Sequence, residues 1–307
     1  MRCVVTGGSG FIGSHLVDWL KEAGHDVLVI DMPKPHRQDV EWENIDILDF
    51  PSLLTATKGA DYIFHLAAVS NVNYVHKKPV YSTAVNILGT VNLLEAGRIN
   101  GIKRFFFAST VWVYGAAREK DNLPEDTLLD ISDTGHIYTT TKIASEALIH
   151  NYKKLYELPF TILRYGIPYG PRMRDELVIA IFVRRALRGE PITIQGDGSQ
   201  YRNYIYIDDL IRGHILAMSD KAKNQTYNLE GLRPITIKEV AETVKNLVNP
   251  QVEIRYVDAR AGDFKGRTAS YEKAKRELGW EPLVDFTEGM RRYIEWYKSK
   301  MSEYGKS

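Results

Sequence analysis

A chain of 307 residues, 44% hydrophobic and 26% charged, has enough apolar material for a real core and enough charge to stay soluble, in one large or two modest domains. With 40 basic against 39 acidic residues, the net charge of +1 gives no electrostatic reason to expect nucleic acid or a membrane surface as partner. The single cysteine, Cys3, excludes a disulfide framework and a multi-cysteine metal site, and fits a reducing, cytoplasmic setting. We expect no signal peptide, no bilayer-spanning run and no metal, because the eight histidines show no ligand spacing.

The first element is an apolar strand, Arg2 to Thr6, that runs into Gly7-Gly8-Ser9-Gly10-Phe11-Ile12-Gly13 and then an amphipathic helix. Strand, glycine turn and helix in that order suit a phosphate-bearing dinucleotide. Gly7 permits the turn, Gly10 lets the backbone approach a pyrophosphate, and Gly13 lets helix and strand pack closely. The pyrophosphate then lies on the unpaired N–H groups at the helix start. A second strand, Asp26 to Ile30, ends in Asp31, 18 residues after Gly13. A carboxylate there accepts hydrogen bonds from an adenosine ribose and repels a 2′-phosphate, so NAD is favoured over NADP. Lys34 and Arg37 follow and read as solvated loop residues.

Further along, Tyr62 to Ala68 reads as a buried strand, about Val80 to Gly97 as a helix, and Arg104 to Ser109 as the next strand. A helix from about Tyr138 to Leu155 leads to the strand Phe160 to Arg164. This alternation predicts an α/β fold with a parallel sheet and right-handed crossovers. After Arg164 the texture changes: Gly166, Pro168, Gly170 and Pro171 mark a long loop. A helix from Ile179 to Gly189, a short strand at Ile192–Ile194, and amphipathic helices at Ile235–Val248 and Phe286–Lys300 follow, and the last nine residues are expected to fray.

Hydride exchange at an alcohol carbon needs a base for the hydroxyl proton. A tyrosine serves when a nearby ammonium favours its phenolate, and a Tyr-x-x-x-Lys pair puts both groups on one helix face. Three such pairs occur: Tyr74/Lys78, Tyr138/Lys142 and Tyr271/Lys275. Position selects Tyr138/Lys142, which opens the helix after the Phe105–Ser109 strand, near the carboxyl ends of the strands where such sheets bind ligands. Ser109-Thr110 offers a hydroxyl at that strand end.

With these residues in place, the chain resembles the extended short-chain dehydrogenase/reductase family, in particular its NAD-dependent nucleotide-sugar epimerases and dehydratases. The resemblance spans nearly the whole chain. It rests on Thr6 to Gly13, Asp31, Asp46-Ile47, His65 to Ala68, Asn86 to Thr90, Ser109-Thr110 through Tyr114-Gly115, and Tyr138/Lys142. It continues through Arg164-Tyr165, Tyr169 to Arg172, Gly196 to Gly198, Tyr206 to Asp209 and Leu278 to Pro282. It implies a Rossmann-type doubly wound parallel sheet with a smaller C-terminal α/β substrate-binding domain. The NAD-binding domain would take 1–165 plus about 203–232; the substrate domain would take 166–202 and 233–307. The resemblance also implies NAD held by Gly7, Gly10, Phe11, Ile12, Gly13, Asp31, Asp46, Ile47, Leu66, Ala67, Ala68, Tyr138 and Lys142. Thr110, Tyr138 and Lys142 would be catalytic, with Lys142 lowering the Tyr138 pKa. Ser70, Ile167, Arg202 and Arg260 would meet a nucleotide-sugar substrate, the two arginines as diphosphate clamps. A homodimer through the helices near Val80–Gly97 and Tyr138–Leu155 is implied as well.

Dehydratases and decarboxylases of this family carry an acid just after the Ser/Thr. Here Val111 and Trp112 stand there, and neither moves a proton. The reading that follows is a nucleotide-sugar 4-epimerase of the UDP-glucose/UDP-galactose type. A nucleotide-linked 4-keto-sugar reductase is the alternative, and a non-catalytic dinucleotide sensor a more distant one. Two departures stand out. The family's Arg-Tyr-Phe-Asn-x-Tyr-Gly reads Arg164-Tyr165-Gly166-Ile167-Pro168-Tyr169-Gly170, with Ile167 in place of an asparagine. His136-Ile137 replaces the usual small residues before the tyrosine, and His136 is placed to reach the sugar or to lie in solvent.

Overall fold

A computed structural model of the chain describes residues 1–117, 121–259 and 266–304. Its strands are β1 (Arg2–Thr6), β2 (Asp26–Ile30), β3 (Glu41–Glu43), β4 (Tyr62–His65), β5 (Arg104–Thr110), β6 (Phe160–Tyr165), β7 (Ile167–Tyr169), β8 (Ile192–Gln195), β9 (Tyr201–Tyr206), β10 (Gln225–Leu229), β11 (Pro234–Thr236) and β12 (Ile254–Val257). Seven of them form one sheet in the order β10-β6-β5-β4-β1-β2-β3, every pair parallel. This is the Rossmann-type order. The chain reverses direction across the sheet between β1 and β4, and that switch point opens a crevice at the carboxyl ends of the strands. The other five strands form two smaller sheets, β11-β9-β7 and β12-β8.

Strand periodicity explains both faces. Cys3, Val5, Val27, Val29, Phe64 and Phe106 point to one side, where Leu16, Val17 and Leu20 of the helix Phe11–Glu22 and the helix Ile207–Leu216 cover them. Val4, Leu28, Ile30, Ile63, Phe105 and Phe107 point to the other, against Leu53, Leu93, Leu94 and Ile149 from three further helices. Because both faces are covered, the strands read as continuous apolar runs. The helix expected over Val80–Gly97 is built from three pieces: an α-helical turn at Pro79–Thr83, a π-helical turn at Ala84–Leu88, and the helix Gly89–Asn100. Among the described residues, no helix is long and apolar enough to cross a membrane.

The C-terminal segment is pinned by Trp280. Its indole is fully buried, and its Nε1 donates to the Asp209 carbonyl at 2.9 Å. The Asp209 carboxylate accepts from Leu283 N and Val284 N at 2.9 and 2.8 Å. Replacing Trp280 with alanine removes this plug and leaves a cavity beside the helix Ile207–Leu216. We expect urea unfolding of Trp280→Ala to show a loss of about 3–5 kcal/mol.

Candidate active site

The crevice at the switch point is a cleft of about 1080 Å³, and it gathers most of the residues singled out in the sequence. Gly7, Gly10, Phe11, Ile12, Gly13, Asp31, Asp46, Ile47, Leu66, Ala67, Ala68 and Ser70 line one end; Thr110, Tyr138, Lys142 and Ile167 line the other. Arg202 is not among the residues lining it. It sits on β9, and its Nη1 donates to the Tyr201 carbonyl at 2.7 Å. Arg260 lies outside the described residues.

At the first end, glycine is required by contact. A Cβ on Gly7, whose φ is +71°, would lie 2.6 Å from Ala67 N, and one on Gly13 would lie 2.1 Å from the Gly7 carbonyl oxygen. The helix Phe11–Glu22 starts at Gly10 with no side-chain cap, so its first N–H groups face the cleft unclaimed. Asp31 folds back onto the turn: one carboxylate oxygen accepts from Ser9 N at 2.9 Å and the other from Met32 N at 2.8 Å. Lone pairs remain on both oxygens for ribose hydroxyls. Arg37 is drawn off by Asp39 at 2.8 Å and Asp18 at 3.7 Å, and Lys34 lies over the Trp42 ring, so neither cation offsets Asp31. The uncapped helix, the glycine contacts and the carboxylate together fit a dinucleotide with an unphosphorylated ribose.

At the other end, the helix Ile137–Tyr156 presents Tyr138, Lys142 and Glu146 at four-residue spacing on one face. Lys142 is buried, and its Nζ donates to the Ala108 carbonyl of β5 at 2.7 Å and lies 5.9 Å from the Tyr138 ring centre. Burial pushes its pKa down to about 7, against the pull of Glu146. Burial also pushes the Tyr138 phenol up to about 12, with the Arg174 guanidinium pulling the other way. Within the protein alone, burial thus outweighs the pull of the nearby guanidinium on this phenol. Thr110 Oγ1 accepts from Trp112 N at 3.2 Å, which leaves its own hydroxyl proton free to donate. Ser109 Oγ instead donates to Glu146 Oε1 at 2.5 Å, away from this chemistry.

His136 caps the helix: its Nδ1 accepts from Thr139 N at 3.2 Å, and its half-buried ring packs on Trp112 with centroids 4.8 Å apart, which ties it to the helix start. Tyr74, on the short helix Val72–Lys77, is 45% exposed, which suits its surface reading.

Several residues here were given no role at the site by the sequence reading. Glu146 grips Arg164 through bonds of 3.1 and 2.7 Å, and Arg164 Nη1 donates to Tyr114 Oη at 2.7 Å. Its signal was available: it repeats the four-residue step from Lys142. Asn86 ties the cleft loop to the catalytic helix through Val69 and Thr141 at 2.8–3.1 Å. Tyr165 lines the cleft and shares a 2.6 Å hydrogen bond with His214 Nε2. Arg174 and Glu176 also line the cleft from the loop after β7.

Fold and site together define an α/β dinucleotide-binding enzyme with a Tyr/Lys pair at the reacting end. Residues 3–229 match the NAD dependent epimerase/dehydratase family, and the chain belongs to that family. It is 33% identical to a putative UDP-glucose 4-epimerase of Methanocaldococcus jannaschii, over 96% of this chain and 98% of that one. It is 31% identical to a UDP-glucuronate 4-epimerase of Thermodesulfobacterium geofontis, over 97% of this chain and 96% of that one. Among solved structures it is similar to the UDP-glucose 4-epimerase of Thermotoga maritima with UDP-glucose, at 33% identity and a TM-score of 0.93, covering 98% of this chain and 100% of that one. NAD is the family's cofactor.

Two outcomes follow from this geometry. Gly13→Ala forces the turn apart and should weaken NAD+ binding about tenfold or more, as read by calorimetry. Lys142 holds its proton more weakly folded than unfolded, so the unfolded chain binds more protons from about pH 7 up to the ordinary lysine range. Its contribution to stability therefore grows as pH rises through that window. Unfolding midpoints of wild type and Lys142→Met between pH 6.5 and 9.5 should diverge, with the wild type gaining on the variant as pH rises.

Proposed function

We propose that this enzyme is a nucleotide-sugar 4-epimerase of the UDP-glucose/UDP-galactose type, which inverts C4 of a UDP-hexose by transient oxidation and re-reduction. The observation that carries this reading is the convergence of Thr110, Tyr138 and Lys142 on the reacting end of a cleft whose other end is built for NAD. When bound, NAD+ supplies the acceptor and donor for the C4 hydrogen and a positive charge beside the phenol. Every proton movement needed belongs to Tyr138, which takes the C4 hydroxyl proton and returns it. Thr110, whose hydroxyl proton is free, donates to the C4 oxygen and fixes it against Tyr138. Lys142, anchored by the Ala108 carbonyl, places its charge beneath the phenol. No acid follows Thr110, where Val111 and Trp112 stand, which favours epimerisation over elimination of water.

The helices Gly89–Asn100 and Ile137–Tyr156 pack together. Val80 and Leu155 on this helical layer are 84% and 66% exposed, which supports a homodimer formed through it. Light scattering should give twice the chain mass.

With no added reductant, purified enzyme should interconvert UDP-glucose and UDP-galactose. Tyr138→Phe should lower kcat by about 10²–10⁴-fold while retaining NAD+. Stoichiometric consumption of NADH would instead establish a 4-keto-sugar reductase.

A further inference from the structure

Val111 and Trp112 both follow Thr110, but they go different ways. Val111 packs inward with Val113 and Leu123, whereas Trp112 lines the reacting end of the cleft with Thr110 and Tyr138. Thr110 places it: the turn Val111–Ala116 starts on Thr110, whose Oγ1 accepts from Trp112 N at 3.2 Å. His136 backs it. The imidazole packs on the half-buried indole with centroids 4.8 Å apart and planes inclined by 39°, and it lies 6.1 Å from the Tyr138 ring. Because His136 Nδ1 accepts from Thr139 N, the ring carries its proton on Nε2 and is uncharged, and burial lowers its pKa. His136 is not among the residues lining the cleft, so the stack of rings runs from the cleft wall back to the start of the helix Ile137–Tyr156.

We propose that Trp112, backed by His136, is the surface on which the hexose of the nucleotide sugar lies, held through its C–H faces rather than by directed hydrogen bonds. The inference rests on the 4-epimerase reading and adds to it the residue that carries the sugar. Inversion requires the hydrogen to leave one face of C4 and to return to the other from the same side of the cleft. The ketone must therefore turn over between the two steps. Fixed donors matched to the ring hydroxyls would hold one face and resist that turn. An aromatic ring offers a large apolar contact without direction, and either face of a pyranose can rest on it. Gly166, Ile167 and Pro168, which line the same end, likewise offer no side-chain hydrogen bond. Aromatic wall and apolar floor together hold the hexose without fixing which face it shows, while Thr110 and Tyr138 address only the C4 oxygen.

The test separates the hexose from the nucleotide. UDP-glucose, UDP-galactose and UDP are titrated calorimetrically into the NAD-loaded wild type, Trp112→Ala, Trp112→Phe and His136→Asn, and interconversion of the two sugars is followed by chromatography. Trp112→Ala should weaken both UDP-hexoses about tenfold, the size of one aromatic contact, and leave UDP unchanged. Trp112→Phe should recover most of the loss. His136→Asn keeps a side-chain cap for Thr139 N but removes the ring, so it should give a smaller loss, again on the hexoses alone. Equal weakening of UDP and the UDP-hexoses in Trp112→Ala overturns the proposal, because the ring then acts on the nucleotide or on the shape of the whole cleft. A loss confined to one epimer overturns it too, since the contact must serve both faces. A hexose-selective loss without interconversion supports the platform and overturns the epimerase reading. Interconversion with hexose affinities unaltered in Trp112→Ala overturns the platform and leaves the epimerase reading standing.

Discussion

Burial of the Lys142 amine constrains everything at the reacting end of the cleft. An ammonium 4% exposed is costly unless a partner is fixed in advance, and here the partner is the backbone carbonyl of Ala108 at 2.7 Å. That single bond sets how far the helix Ile137–Tyr156 can lie from β5. It fixes the rotation of the helix, since Tyr138 and Glu146 sit one turn above and below. It also fixes which strand-end hydroxyl faces the cleft. Glu146 draws the Ser109 hydroxyl inward, while Thr110, which lines the cleft with Tyr138, keeps its hydroxyl proton uncommitted.

The ion pair beneath Lys142 belongs to the same constraint. Glu146 and Arg164 each have side chains 8% exposed, and Arg164 reaches on to Tyr114, which reaches Asn228 at 2.9 Å. Helix, β6, the turn after β5 and β10 are thereby joined in one buried polar chain. A buried pair of this kind adds little net stability over an apolar equivalent, but loss of one partner strands a charge. Its value lies in register: β5, β6 and β10 are locked at the level where the cleft opens.

The fold and the cofactor end were legible because they are local. Gly7, Gly13 and Asp31 lie within one β-α-β unit, and their contacts follow from spacing in the chain. Tyr138 and Lys142 were legible for the same reason, being one turn apart on a helix. Glu146 extends that pattern by one more turn, yet its meaning comes from Arg164, which β6 brings in from a different element. Arg174 carried no pattern at all, because it stands in an irregular loop and becomes a cleft residue only through the return of the chain after β7. The cap made by His136 was not legible, because sequence position does not reveal that a ring nitrogen folds back onto the helix behind it.

The sugar end departs from the family pattern in a concerted way. Gly166 stands where a phenylalanine is usual, and a Cβ there would lie 2.3 Å from Glu230 Oε2. Glu230 is fully buried, and burial pushes its pKa up to about 8, so near neutral pH it is mainly a protonated, uncharged acid filling the space beside Gly166. Next to it, Ile167 puts an apolar side chain into the cleft where the family pattern has an asparagine. Two changes in adjacent positions, one answered by a long-range partner on the segment after β10, thus give a floor with neither charge nor side-chain donor. Polar side chains at this end of the cleft therefore stand on its walls. Arg174 and Tyr138 both line that end, so the cleft pairs an apolar floor with a charged wall.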